Sequence, residues 1–454
     1  MINVRTMRPS ATAVCLLAFM AGGSGVSWAK AGDHIRSGNA EIIPSIELKT
    51  VHRSNVYLSE GESTNADGET VGVAEQSGTS IRLHPGLVIG IKGADSALNF
   101  NVDYNAVKYI EEEHKNLDRY KDVELGLGIH ALDSAPVGFK LQERFHITGR
   151  ETEATYATSA YINHIMSTSS GRISIHPGSS LQLDVGGNVT YDKYDVSPNT
   201  SAEGSPALNS RLGYGPAVDL KWKFFPKTAI IATYKMTWFD WENNLLDARG
   251  DGISPEDVGT ELGVPDGTEW RTTLGIRGRF TEKLVLGLIA GYGEMDYDDS
   301  SVSGSGSEES ETNASAQGYD QDLKGFPEGF MAIVELGYHP IDSQAFSLGY
   351  RKSFQDVYFT NFVDFHNVFA RYEGMFADTF GVKGRFGYRY EQYRGEVSRD
   401  DHSLGAGLNL SYRTAPWMDI GGGVGWRQRG SADGEHSEIE YDDISVNIGM
   451  TLTY

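Results

Sequence analysis

The chain has one cysteine in 454 residues, and after position 29 it has no apolar run long enough to cross a bilayer as a helix. With Cys15 alone there is no disulfide framework and no cysteine-based metal site. Bases are in the minority: 39 Lys and Arg stand against 62 Asp and Glu, a net charge of -23, and no stretch is basic enough to hold nucleic acid. Catalytic signatures are missing too. There is no G-x-S-x-G elbow, no H-E-x-x-H pair, no phosphate loop and no cysteine nucleophile, so the sequence calls for neither an enzyme nor a cofactor. The glycine run Gly421 to Gly425 lies in an extended stretch with no helix after it and is not a dinucleotide fingerprint. His84, His130, His146 and His164 have no partners at metal-ligand spacing and read as lone residues.

What is present begins with Arg5 and Arg8, an apolar run from Ala11 to Ala21, and the small-residue site Ser27-Trp28-Ala29. This pattern is that of a secretory signal peptide over residues 1–29, and its removal takes the charge from -23 to -25. Residues 30–43 then read as a short periplasmic lead, and 44–454 as one barrel domain.

The barrel reading rests on a period of two. At the C-terminus Ile444, Val446, Ile448, Met450, Leu452 and Tyr454 share one side of an extended strand, against Ser445, Asn447, Gly449, Thr451 and Thr453 on the other. Leu181, Leu183, Val185, Val189 and Tyr191 repeat the pattern against Gln182, Asp184, Gly186, Asn188 and Thr190. Short turns, such as Gly93 to Ser96 and Thr281 to Lys283, alternate with mostly longer connections, the longest being Glu242 to Thr268 and Tyr297 to Gly329. That alternation predicts a closed antiparallel transmembrane β-barrel of about 18 strands, with short periplasmic turns and long extracellular loops, in the outer membrane of a Gram-negative bacterium. A secreted β-sandwich, the rival all-β class, has no reason to alternate turn length in this way.

Charge divides between loops and wall. Ser59 to Gln76, Glu242 to Thr268 and Tyr297 to Gly329 together carry -18, either a solvated surface or a site for divalent cations shared with lipopolysaccharide. The inward stripes instead carry Arg82, Lys140, Arg144, Arg271, Arg277, Arg279, Arg351, Lys383, Arg385 and Arg389, with Asp103, Glu124, Asp184, Asp219 and Glu391 among the acids. These residues are candidates to line a pore. One reading is ion-pair ladders that stiffen the wall; the other is an anion-selective patch of Arg277, Arg279, Lys383, Arg385 and Arg389. Phe239 and Trp241 are expected in the interfacial aromatic girdle rather than in the lumen.

The segment from Ile43 to Glu62, "IPSIELKTVHRSNVYLSEGE", places a proline before an alternating strand, then Ser54, Asn55, Val56 and Tyr57, then an acidic loop. It resembles the start of the beta-barrel porin 2 family of bacterial outer-membrane barrels. The resemblance implies export of an exopolysaccharide, with outer-membrane lipid, lipopolysaccharide and periplasmic polysaccharide-export components as partners. A diffusion porin for small anionic or sugar-like solutes and a surface structural or adhesive barrel are the alternatives. On any pore reading, the loops at Glu242 and Tyr297 are candidates to fold inward as a constriction.

Overall fold

The computed structural model describes residues 35–58, 63–64, 70–71, 75–151, 161–178, 180–195, 210–242, 245–246, 252–253, 266–297, 329–357, 360–394, 398–432 and 440–454. The expected signal peptide and most of the three acidic loops lie outside the described residues. Eighteen strands form the wall: β1 Ala40–Arg53, β2 Gly78–Lys92, β3 Ser96–Tyr109, β4 Arg119–Ala131, β5 Val137–Glu151, β6 Tyr161–Ile175, β7 Leu181–Asp195, β8 Ser210–Phe225 and β9 Thr228–Glu242. The second half comprises β10 Gly267–Arg279, β11 Leu284–Tyr297, β12 Phe330–Tyr338, β13 Gln344–Val357, β14 Thr360–Phe376, β15 Phe380–Arg394, β16 Arg399–Ala415, β17 Met418–Ser431 and β18 Tyr441–Thr453.

Each strand pairs antiparallel with its sequence neighbours, and β1 pairs with β18 from Ser45–Thr453 to Arg53–Ser445, which closes the sheet. Closure is what hydrocarbon demands, because each unpaired backbone group there would cost several kcal/mol. The seam is fastened by a buried ion pair, Arg53 Nε to Asp443 Oδ2 at 3.1 Å, and by the Asn55 amide donating to Asp443 Oδ1. The first strand starts at Ala40, not Pro44. A three-residue strand, Ile35–Ser37, folds back on it through Gly38, whose φ of 59° suits a residue without Cβ.

The period of two sets the two faces. Outward residues are large, apolar and open to their surroundings: Ile448 is 66 % exposed and Leu274 62 %, which only a lipid solvent makes favourable. Aromatics ring this band at both ends. Tyr214 with Trp238 and Trp270 with Tyr292 stand toward the long loops, each pair 5.7 Å between centroids. Phe346 with Tyr372 and Phe376 with Phe380 stand toward the short turns. Such girdles and such a band make the chain an outer-membrane β-barrel, and 18 strands leave an aqueous lumen instead of a packed centre. Phe239 departs from the expected girdle. It shares the inward face of β9 with Thr233 and Lys235, buried under the Arg211 guanidinium at 5.2 Å, and Trp238 takes the outward place. The side chain of Trp241 lies outside the described residues.

Candidate functional site

The lumen wall is built from the inward alternates, and its charges fall into two kinds. On the wall from β3 to β8 four inward cations meet acids, while Lys221 and Lys223 of β8 form no ion pair among the described residues. Arg144 Nε lies 3.0 Å from Glu124, Lys140 Nζ 2.9 Å from Asp184, Arg172 Nε 3.5 Å from Asp219 and Arg211 Nε 3.0 Å from Asp192. Register explains this: β4 places Glu124 opposite His146 and one diagonal step from Arg144, so short cross-strand contacts are unavoidable. The histidines are not lone residues. His84 stands between Glu47 at 3.6 Å and Asp103 at 3.4 Å, His146 lies 3.0 Å from Asp122, His164 3.2 Å from Asp192, and His130 3.9 Å from Asp133. Apart from Asp133, three residues after His130, these partners come from other strands, which sequence spacing could not reveal. No group of three or more possible metal ligands forms among the described residues.

The patch expected from Arg277, Arg279, Lys383, Arg385 and Arg389 is divided. Arg277 and Arg279 belong to β10, five strands from the β15 that holds the other three. Arg277 pairs with Glu335 at 3.1 Å, and Arg279 and Arg351 are also engaged. Arg271 grips Glu269 with two donors at 2.6 Å and lies over the Phe354 ring at 4.4 Å. Arg389 pairs with Glu391 at 2.6 Å above the Phe365 ring, and Glu391 joins a buried network with Arg429, Asp401 and Arg399. Arg82 packs on Ser80 Oγ at 3.5 Å and faces Lys49 across the sheet.

Lys383 and Arg385 differ: among the described residues neither forms an ion pair. The hairpin that carries them decides this. Between β14 and β15, Ala377 and Asp378 take positive φ values of 49° and 55°, the twist that tight hairpins need, and this fixes Phe376 against Phe380. Counting back along the ladder puts Arg371 opposite Arg385 and Glu373 opposite Lys383. Arg371, which the sequence reading passed over, also lacks an ion pair among the described residues and lies over the Phe369 ring at 4.8 Å. Two guanidinium groups therefore face each other across a ladder, an arrangement that is unfavourable until an anion sits near them. The next strands leave room for one. Gly407 and Gly425 continue the Arg385 row, Asn409 and Gly423 the Lys383 row, and a Cβ on Gly407 would come within 2.9 Å of Arg385 Nε.

A second feature of the lumen lies near its loop end. After β1 the segment Ser54 to Leu58 turns into the barrel, where Val56 packs with Leu117 and with Val107 and Tyr109 of the inward face of β3. Leu117 ends a 3-10 helix, Glu112–Leu117, within a connection that shows no helical periodicity. His114 of this helix is fully buried, with Nε2 3.0 Å from the Ser77 carbonyl and Nδ1 3.2 Å from the Tyr57 hydroxyl. Gly78 makes the fit possible, since a Cβ there would lie 2.8 Å from the His114 ring and 3.0 Å from Val56. Just before the helix, burial would raise the Glu111 carboxyl, but the Thr79 amide donating to its two oxygens at 3.0 and 2.9 Å, its own backbone amide, the Thr79 hydroxyl and the nearby His114 together outweigh this and hold its pKa below the ordinary value. The inward fold seen among the described residues thus comes from the first two loops; the loops at Glu242 and Tyr297 lie mostly outside them.

No family model matches the chain, and no curated protein matches it. Solved outer-membrane barrels are similar in shape at very low identity. They include OpdK of Pseudomonas aeruginosa with vanillate (10 % identity, TM-score 0.42, 91 % of this chain and 99 % of that one). They also include the FrpB iron transporter of Neisseria meningitidis in its apoprotein form (11 %, 0.45, 90 % and 81 %) and OccAB4 of Acinetobacter baumannii (9 %, 0.41, 91 % and 98 %).

Proposed function

We propose that the barrel is a diffusion channel that passes small anionic and sugar-like solutes across the outer membrane without chemistry. The observation that carries this reading is the strip of Arg371, Lys383 and Arg385, three cations beside the single acid Glu373, none of them in an ion pair among the described residues. Rings and strips of Arg and Lys are how anion pores select. The glycine and asparagine rows beside the strip give a solute space and amide groups to hydrogen-bond. Exopolysaccharide export, expected from the resemblance at Ile43 to Glu62, has no family match behind it. A small solute also suits a mouth narrowed by the inward-folded Ser54 to Leu58 segment better than a bulky polymer does. Reversal potentials of single channels under a salt gradient test the proposal. An anion preference that falls in the double variant Arg371→Gln, Arg385→Gln is the expected result; a cation preference in the parent protein, or no conductance at all, would sink it.

A further inference from the structure

The outward face of the barrel holds one charge where none belongs. Along β5 the outward positions read Phe139, Leu141, Glu143, Phe145 and Ile147, and Glu143 is at the middle of the strand. Its register partner on β4 is Leu127, another outward residue. Among the described residues Glu143 is the outward acid nearest mid-height; Lys352, its partner Asp364 and His366 stand in the loop half of β13 and β14, and Glu294 and Asp400 stand near the strand ends at the loops. An ionisable group at this depth is costly in lipid, and such groups mark functional contacts.

The neighbouring strand is adapted to it. Ser169, the register partner of Glu143, and Ser167, the next outward residue, both donate hydroxyls to its carboxylate, Ser167 at 2.7 Å. Below them Gly171 and its partner Gly187 on β7 leave the surface without side chains, and a Cβ on Gly171 would meet nothing within 4 Å. Everywhere else at this height the band is lined mainly by large apolar groups. A surface that lipid tails alone were to cover would need neither the acid nor its two serines.

We infer that this β5–β7 face is where a second copy of the chain docks in the membrane. The reason for a second copy is symmetry. A two-fold axis along the membrane normal preserves height and exchanges left with right. Glu143 and its serines occupy adjacent strands at nearly one height, so an axis passing between β5 and β6 sets Glu143 of each copy against Ser167 and Ser169 of the other. Strand tilt offsets register partners slightly in height, and two serines one outward step apart span that offset. The carboxylates then lie diagonally, apart from each other; each serine has one proton, so in the pair its hydroxyl donates either to its own Glu143 or to that of the other copy, and the acid faces polar groups instead of acyl chains. Small residues around them let the two walls approach closely, as they do at other protein contacts within membranes.

The test is the protein mass of the purified full chain in mild detergent by light scattering, with folding followed by resistance of the barrel to SDS without heating. A two-chain particle is expected for the parent protein. Glu143→Leu, which restores an unbroken apolar band, is expected to stay folded and to weaken association at least tenfold. Should Glu143→Leu not fold, the double variant Ser167→Ala, Ser169→Ala is expected to weaken association in the same direction. A parent protein that is a single barrel in detergent and is not cross-linked to itself in native membranes would overturn the inference. So would a three-chain particle, or dimers that persist unchanged in a folded Glu143→Leu.

Discussion

Two walls of one lumen, made from the same alternating strands, treat charge in opposite ways. From β3 to β8 most acids and bases meet across one or two ladders, as in Arg144–Glu124, Lys140–Asp184 and Arg211–Asp192–His164, with Lys221 and Lys223 the exceptions among the described residues. On β14 and β15, Arg371 and Arg385 face each other and Lys383 stands beside them without an ion pair among the described residues. The first wall uses charge to hold strands in register; the second holds charge available to what passes. A paired cation contributes little field to a solute, because its acid cancels it at short range, so the number of basic residues in a pore says less than the number left unmatched.

The largest effect that sharpens this contrast lies on the matched wall. Asp192→Ala removes the acid shared by His164 and Arg211, all inward and largely buried, and is expected to cost about 3–5 kcal/mol of barrel stability by leaving buried donors uncompensated. Urea unfolding of the vesicle-embedded barrel, read by tryptophan fluorescence, measures it; a midpoint unchanged from the parent would mean that the matched wall is not structural. Next comes Gly78→Leu, which drives a side chain into His114 and Val56 and is expected to destabilise by about 1–3 kcal/mol. It also displaces the inward-folded segment, so single-channel conductance should rise. Conductance that stays constant would remove this segment from the account of the mouth.

Smaller in free energy is Arg385→Gln on the basic wall. Relief of like charges across the ladder is expected to leave stability unchanged or raise it by about 0.2–1 kcal/mol, while the anion preference drops. The same substitution costing as much as Asp192→Ala would erase the distinction between the walls. The smallest effect is pH-dependent and belongs to Glu111. Its folded pKa is lowered by the Thr79 amide, so its contribution is fully present above the ordinary carboxyl pKa and is lost as pH falls through the lowered folded value. Between about pH 5 and pH 3, bracketing the ordinary glutamate value, stability of the parent should therefore fall slightly more steeply than that of Glu111→Gln. Parallel curves would show that the contact has no thermodynamic weight.

Some of this was legible before any coordinates. "DISVNIGMTLTY" already separates the lipid face of β18 from its lumen face, and the alternation places Arg385 inward without further help. Arg371 was not legible. Its strand, "TNFVDFHNVFARYEGMF", carries aromatics on both faces, Phe365 and Phe369 inward with Tyr372 and Phe376 outward, so the apolar stripe that marks the lipid side elsewhere is blurred. Phe239 was misplaced for a related reason: next to Trp238 near the end of its strand, either ring could have joined the girdle, and only the contact with Arg211 and Gly213 decides. The helix Glu112–Leu117 gave no periodic signal, because six residues with two apolar contacts are too few to show one.

By itself the sequence determined the barrel, a strand number of about 18 and, where one face is cleanly apolar, which residues face water, because side-chain alternation is a local property of an extended chain and lipid fixes which face turns outward. Only the tertiary structure decided which cations are matched, how β1 meets β18, and that Ser54 to Leu58 folds into the lumen. Those outcomes depend on register between strands that are neighbours in space, in the case of Arg53 and Asp443 at a distance of 390 residues along the chain, and a one-residue shift in any ladder would change every partner.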